Sequence, residues 1–305
     1  MKRVLAIYYS QTGQLHQVMQ RVLQPLADAE DISLHVEIIQ PQNPPPFPWP
    51  ILRFFDAFPE SVYLDPAPIK PLTLQGTEEF DLIIIGYQVW YISPSQPITA
   101  FLQSPQAAQV LRNKPVVTVI ACRNMWLIAQ ETMKKLLSNL GARLCANIVL
   151  TDQGSAIASL ITTPRWLLTG KRNAFWGLPA AGIAAGDIQA CDRFGHALQQ
   201  ALRADKERGP EALLQNLGAV TAKPELLISE TAAFRSFRIW GGLIRRIGRA
   251  GQKRRWPILI VYIIFLICLI ITVVPLSLLI QRLLRPLRQQ RLKTLRHYYE
   301  MPSGN

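Results

Sequence analysis

The sequence predicts an α/β chain: a doubly wound, five-stranded parallel sheet followed by a C-terminal apolar helical segment. Three observations predict it. Continuous apolar runs of strand length alternate with helical patterns as far as residue 203, and such alternation implies a parallel sheet covered on both faces. Pro257–Ile280, PILIVYIIFLICLIITVVPLSLLI, is a run of 24 residues without a charge. As a helix it would reach about 36 Å at 1.5 Å per residue. Charge is also segregated: from Thr231 to Asn305 there are fourteen Lys/Arg against one acid, Glu300, whereas residues 1–230 balance at nineteen against nineteen.

The elements follow in order. Residues 3–9, RVLAIYY, form a first strand that passes into the turn SQTGQ. Leu15, Val18, Met19, Val22 and Leu23 then recur at helical spacing, the stripe of an amphipathic helix. Ile32–Ile39 alternates like a second strand. Phe80–Gly86, FDLIIIG, reads as a strand buried on both faces, and Lys114–Ala121 repeats the pattern. A helix over Ala129–Leu140 ends at Gly141. Leu144–Thr151 is a fifth strand, and Asp187–Leu202 a closing helix.

Two insertions interrupt the alternation. Residues 40–71 are crowded with prolines and aromatics, which fits either a lid or an irregular packing flap. Residues 153–186 contain Trp166, Lys171, Arg172, Phe175 and Trp176. The expected organisation is a domain over 1–203, a basic amphipathic linker over 204–256, a membrane segment over 257–280 and a basic tail over 281–305. Within the linker, Ile228–Arg249 suits either an interfacial helix or a solvated one.

Six basic residues lie within Arg245–Arg255 and six within Arg282–Arg296. Basic residues flanking an apolar run suit anionic lipid headgroups. A nucleic-acid partner is not expected, since such a protein would spread cations over its folded part. The positive-inside tendency pulls both flanks toward the cytoplasm. Pro275 is a place for the segment to break or kink, so single-pass and re-entrant anchors both remain open. No secretory signal is visible in MKRVLAIYY, and Cys122, Cys145, Cys191 and Cys268 have neither paired nor metal-like spacing. The expected location is the cytoplasmic membrane, with the folded domain facing the cytoplasm.

Two turns carry the chemistry. In Ser10-Gln11-Thr12-Gly13-Gln14, backbone N–H groups ahead of a helix N-terminus form an anion site, to which the Ser10 and Thr12 hydroxyls add donors. One glycine does not make a dinucleotide fingerprint, and no GK[ST] follows. Tyr87, Trp90 and Tyr91 follow the carboxyl end of the next long strand, where open α/β sheets gather ligands. An anion cradle beside an aromatic shelf suits a flat ring with a phosphate tail, although Trp90 could equally be packing its own loop.

YYSQTGQL followed by FDLIIIGYQVWYISPSQPITAFL resembles the phosphate loop and first flavin loop of flavodoxin-like proteins. The similarity continues through KPVVTVIA and GDIQACDRFGHAL, roughly residues 3–203. It implies a flavodoxin-like sheet with FMN as cofactor. The phosphate would be held by Ser10, Gln11, Thr12, Gly13 and Gln14, and the ring by Gly86–Tyr91 with Trp90 stacking on it. Leu15 departs where a hydroxyl residue is common. The third loop departs further: Cys122-Arg123-Asn124-Met125-Trp126 replaces a glycine-rich turn, which puts a bare electron-carrier role in doubt. There Arg123 and Asn124 would meet the ring or a substrate, and Trp126 would wall the pocket.

More narrowly, KRVLAIYYSQTGQL with PPPFPWP, CRNMW and a hydrophobic tail resembles the dialkylresorcinol-condensing enzyme family. In that setting a ketosynthase partner would make the carbon–carbon bond, because this chain has no Cys–His constellation placed for acyl transfer. The expected role is FMN-dependent oxidation of an amphiphilic dialkyl cyclohexane-1,3-dione to a dialkylresorcinol. Arg123 would stabilise enolate oxygen, and Tyr87 or Tyr91 would carry protons. The alternatives are a membrane-associated quinone or NAD(P)H reductase, and a non-enzymatic membrane-tethered scaffold with a decayed flavin site.

Overall fold

The computed structural model describes residues 1–284 and 288–303, with side chains described for 1–272 and 288–303. Five parallel strands form one sheet: β1 (Lys2–Tyr8), β2 (Ile32–Ile38), β3 (Leu82–Tyr87), β6 (Pro115–Cys122) and β7 (Arg143–Thr151), in the order β2-β1-β3-β6-β7. β4 (Val89–Trp90) and β5 (Ser93–Pro94) make a separate antiparallel hairpin. This five-stranded parallel order is that of flavodoxin-like folds, with the switch point between β1 and β3.

The central strands are apolar along their length because both faces are covered. All six residues of β3 are buried, as are Val4–Tyr8 of β1. Right-handed crossovers leave β1 and β3 in opposite directions along the sheet. They place α1 (Gln14–Ala27) on one face, and α4 (Gln96–Leu102), α5 (Pro105–Val110) and α6 (Leu127–Asn139) on the other. From β3 through α6 to β6 and β7 runs a buried polar chain: Tyr87 Oη donates to Gln130, whose amide donates to Thr118, whose hydroxyl donates to Asn147 Oδ1.

Three expectations change. The closing helix is two helices, α8 (Ala185–Gln189) and α9 (Asp192–Arg203), with a turn at Ala190–Cys191. Both pack on α1, and the turn lets the chain follow it; at Gly195 a Cβ would sit 2.2 Å from the Val22 carbonyl. The proline-rich insertion carries two helices, α2 (Ile51–Asp56) and α3 (Phe58–Tyr63). Pro50 caps the first and Pro59 occupies the first turn of the second, both positions where proline suits a helix start. The second insertion carries α7 (Ala156–Thr169), which contains Pro164.

The linker and tail are also structured. α10 (Leu227–Ile247) packs on α3 and α6, and α11 (Trp256–Leu284) is one helix through Pro275, so that residue does not break the segment. Phe58, Val62, Ile244, Leu259 and Tyr262 form a second core joining the flap, α10 and the start of α11. α12 (Gln289–Glu300) returns to the domain, with Tyr299 buried in the main core, so this stretch is not a free tail. Residues 285–287 and 304–305 of the expected tail lie outside the described residues.

Candidate functional site

The carboxyl ends of β1, β3, β6 and β7 converge on a cavity of about 200 Å³. The flap closes it with Trp49 and Phe54, and α7 with Thr163, Trp166 and Leu167. The Trp49 N–H donates to the Leu167 carbonyl at 2.8 Å, tying the two insertions together over the site.

Gly13 precedes α1 in the left-handed region, φ 82°, and a Cβ there would meet nothing within 4 Å. The turn is therefore open, and glycine is favoured there by backbone conformation alone. Among the described residues, no protein acceptor takes the N–H of Thr12, Gly13, Gln14 or Leu15. Those are the orphan donors of a helix N-terminus and its preceding turn. Ser10 serves differently from expected: its Oγ accepts the His16 N–H at 3.1 Å, closing the turn internally. The Gln14 side chain grips Ile183 at both N–H and carbonyl, each at 3.1 Å, so only its backbone faces the turn's function. Leu15 is a core residue, which accounts for the absence of a hydroxyl there.

In the second loop, Tyr91 (φ 50°) and Ile92 (φ 62°) both adopt left-handed conformations, the requirement of a tight two-residue hairpin turn. Neither is glycine or asparagine, so the turn is strained. The Tyr91 ring is held by Phe54, Phe58 and Phe237 with centroids 5.4–5.9 Å away, and its hydroxyl donates to the Phe54 carbonyl. This turn sets Trp90 at the cavity, edge-on to Trp49 at 5.9 Å and Tyr9 at 6.1 Å. Gly86 is constrained by packing: a Cβ would lie 2.8 Å from Met19 Sδ and from Tyr8 Cβ.

The third loop divides. Arg123 lines the cavity, where burial lowers its guanidinium from the ordinary value against the opposing pull of Cys122 and Asp152. Asn124 has a buried Oδ1 without a partner and does not line the cavity. Trp126 turns away: it is buried and meets Tyr299 edge-on at 6.4 Å, so it braces the loop and does not wall the pocket. Tyr87 is likewise outside the cavity, its hydroxyl committed to Gln130 at 2.6 Å. Burial raises the phenols of Tyr87 and Tyr91 well above the usual range. With both hydroxyls donating to protein carbonyl oxygens, the expected proton traffic has no free carrier in either.

Asp152, at the end of β7, was not anticipated. Its N–H donates to the carbonyls of Cys122 and Arg123 at 3.0 and 3.1 Å. Its carboxylate accepts the Gly154 N–H at 2.7 Å and the Gly182 N–H. It thus joins the third loop to the segment that covers α1. An Asp-x-Gly turn directly after a buried strand, TDQG, was the available signal. Gln11, Thr12, Gln14, Trp90, Tyr91 and Arg123 are the expected residues that the fold brings to the cavity.

The residues present suit a flat, polar-edged ring. Gln11 Nε2, Gln88 Oε1 and Trp49 Nε1 are buried without partners, and all three side chains line the cavity. At about 200 Å³ the cavity is smaller than the roughly 300–1,000 Å³ common for ligand pockets, room for part of a ligand and not for the whole, and the open Thr12–Gly13 turn adjoins it. No cluster that could hold a metal occurs among the described residues.

No protein-family model matches the chain, and a search of curated proteins finds no match. Several solved structures are similar in fold. A flavoprotein in complex with FMN from Lactobacillus acidophilus shares 16% identity over 49% of this chain and 93% of its own, with a TM-score of 0.38. Oxidised flavodoxin 1 from Bacillus cereus shares 14% over 64% and 95%, TM-score 0.35. A flavone reductase shares 10% over 68% and 65%, TM-score 0.35. The class, a flavodoxin-like α/β domain, rests on the parallel strand order described above.

Proposed function

We propose that this chain is an FMN-dependent oxidoreductase held at a membrane by α11. The observation that carries the reading is the conjunction, across the switch point, of unpartnered N–H groups at the start of α1 with a tryptophan-walled cavity. Backbone N–H groups of Thr12 and Gly13 would hold the phosphate, Trp90 would face the ring, and Gln11 and Gln88 would satisfy its polar edge. FMN, when bound, supplies two-electron acceptance. The protein's own part is to bind, orient and exclude water, for which Trp49, Trp90 and Trp166 supply the apolar walls.

The finer reading is aromatisation of a dialkyl cyclohexane-1,3-dione. Loss of two electrons and two protons from that ring gives the resorcinol, and aromaticity drives it. Arg123 is the cation at the cavity and would stabilise negative charge on a dione oxygen as it enolises. Asp152 positions the third loop and balances that cation. A ketosynthase would supply the dione, and an amphiphilic substrate would partition to the membrane where the enzyme sits. In this reading the domain faces the cytoplasm. The apolar stretch Lys253–Thr272, with mean hydropathy 2.4, is long and apolar enough to cross a membrane by length and composition.

The test is an absorbance spectrum of the full chain in mild detergent, reconstituted with FMN. Bound flavin bands are expected, with affinity at least about tenfold weaker in Thr12→Asp, since like charge would meet the phosphate. Trp90→Ala should shift the bands of any flavin that remains bound. A folded chain that binds no FMN would leave a membrane-tethered scaffold as the better account. Given a holoprotein, dione aromatisation set against NAD(P)H-dependent quinone reduction distinguishes the two enzymatic readings.

A further inference from the structure

We infer that α11 does not span the bilayer: it lies in one leaflet, both its ends on the side of the folded domain, facing anionic headgroups through its basic flanks. This rests on the membrane reading above and assigns that membrane contact its topology.

The first end is built into the protein. Arg255 is fully buried, 3.0 Å from Asp56 and 3.2 Å from Glu60 in the flap. Leu259 and Tyr262 follow one and two turns later, both buried, and the Tyr262 ring lies 4.6 Å from that of Phe58. Beyond them the helix keeps one side on the domain: Leu266 packs against the same cluster, while Ile260, Val261, Ile264, Ile267 and Ile271 are exposed. Burial on one side leaves an exposed side that is apolar and uncharged, a surface that lipid would cover.

The second end returns to the same domain. Ser303 Oγ accepts the Asn147 N–H at 2.6 Å and donates to the Asn147 carbonyl, so it pairs part of the outer edge of β7, where the Val149 N–H also donates to the Ala219 carbonyl. The Glu300 carboxylate accepts the Ala222 N–H at 3.1 Å, Tyr298 donates to Glu131 at 3.0 Å, and Tyr299 sits in the main core. The path back is short. Five residue steps from Leu284 to Gln289 reach at most about 18 Å, and the helical rise from Gln289 to Tyr298 adds about 14 Å. If α11 crossed, that path would have to recross a hydrocarbon core of about 30 Å, inside headgroup layers about 40–45 Å apart. It would do so carrying Arg285, Arg288, Arg291, Lys293 and Arg296. Cations in the bilayer centre are strongly disfavoured. A seated C-terminus and a spanning α11 therefore exclude each other. With the tail seated, Arg288, Arg291, Lys293 and Arg296 stay outside the hydrocarbon, on the side of the headgroups that attract them.

The experiment uses the full chain in a C268S background, removing the exposed native thiol in α11. Glu30→Cys reports the exposed surface of the domain, and Asn305→Cys reports the C-terminus. Each is treated with a membrane-impermeant maleimide in intact producing cells and in inverted membrane vesicles from the same cells. Both cysteines are expected to label to the same extent in inverted vesicles and to be protected together in cells. Labelling of Glu30→Cys in inverted vesicles with Asn305→Cys reactive only in intact cells would overturn the inference and leave membrane attachment standing. A chain that does not float with the vesicles in a density gradient would instead overturn the membrane reading itself.

Discussion

Glu230 shows how one side chain couples the C-terminal helices to the site. It is fully buried in α10, and its Oε2 accepts the Ile128 N–H at 2.9 Å, capping α6 directly after the third loop. Its Oε1 has no partner, and burial pushes the carboxyl from 4.5 up to about 7. A folded value above the unfolded one means the native state holds this proton more tightly. The associated stability is complete below about pH 4.5 and is lost as pH rises through 7. Between pH 5 and 8 the wild type should therefore lose on the order of 3 kcal/mol relative to Glu230→Gln. Thermal unfolding of both proteins across that range checks it; parallel curves would show that Glu230 is not the titrating group. The residue scale also explains which site members were readable. Thr12, Trp90 and Arg123 each follow a buried strand, so their place at a strand end was legible. Tyr87 ends β3 and Trp126 follows β6, but their direction depends on Gln130 and Tyr299, which are distant in sequence.

At the scale of elements, the strained Tyr91–Ile92 turn needs outside support. Phe58 in α3 supplies it, fully buried between Tyr91, Phe237 and Tyr262. Phe58→Ala should cost about 3–5 kcal/mol, the usual range for a buried aromatic. Because the turn that carries Trp90 would then relax, FMN affinity should fall along with stability. Unchanged flavin binding in the destabilised variant would show that the flap and the site are energetically separate. The helices of the flap were hidden by their prolines, which read as breakers until Pro50 and Pro59 are seen at helix starts. The split between α8 and α9 was hidden as well, since Asp187–Leu202 keeps helical spacing throughout.

On the scale of the molecule, the C-terminus belongs to the domain. Deleting residues 289–305 removes Tyr299 from the core and Ser303 from the β7 edge. Burial of the tyrosine contributes about 2 kcal/mol, and each lost hydrogen bond about 1 kcal/mol. The truncated chain should melt lower and, with the Asn147 groups of the β7 edge unpaired, aggregate sooner. Light scattering during a thermal ramp measures both effects; an unchanged midpoint would mean the tail is not seated in solution.

The sequence by itself determined the sheet, because continuous apolar strands and one-sided helices leave few ways to bury their surfaces. It also marked the turns after β1, β3 and β6, which line the cavity, and it placed the apolar run and the cations together in the last seventy-five residues. Tertiary structure alone decided that Asp152 joins the loops, that the proline-rich flap closes the cavity, and that Tyr299 and Ser303 return to the core. Local pattern reports which face of an element is apolar. Which distant element covers that face depends on packing between residues far apart in the chain, and that choice places the last residues of α12 against Asn147 in the sheet.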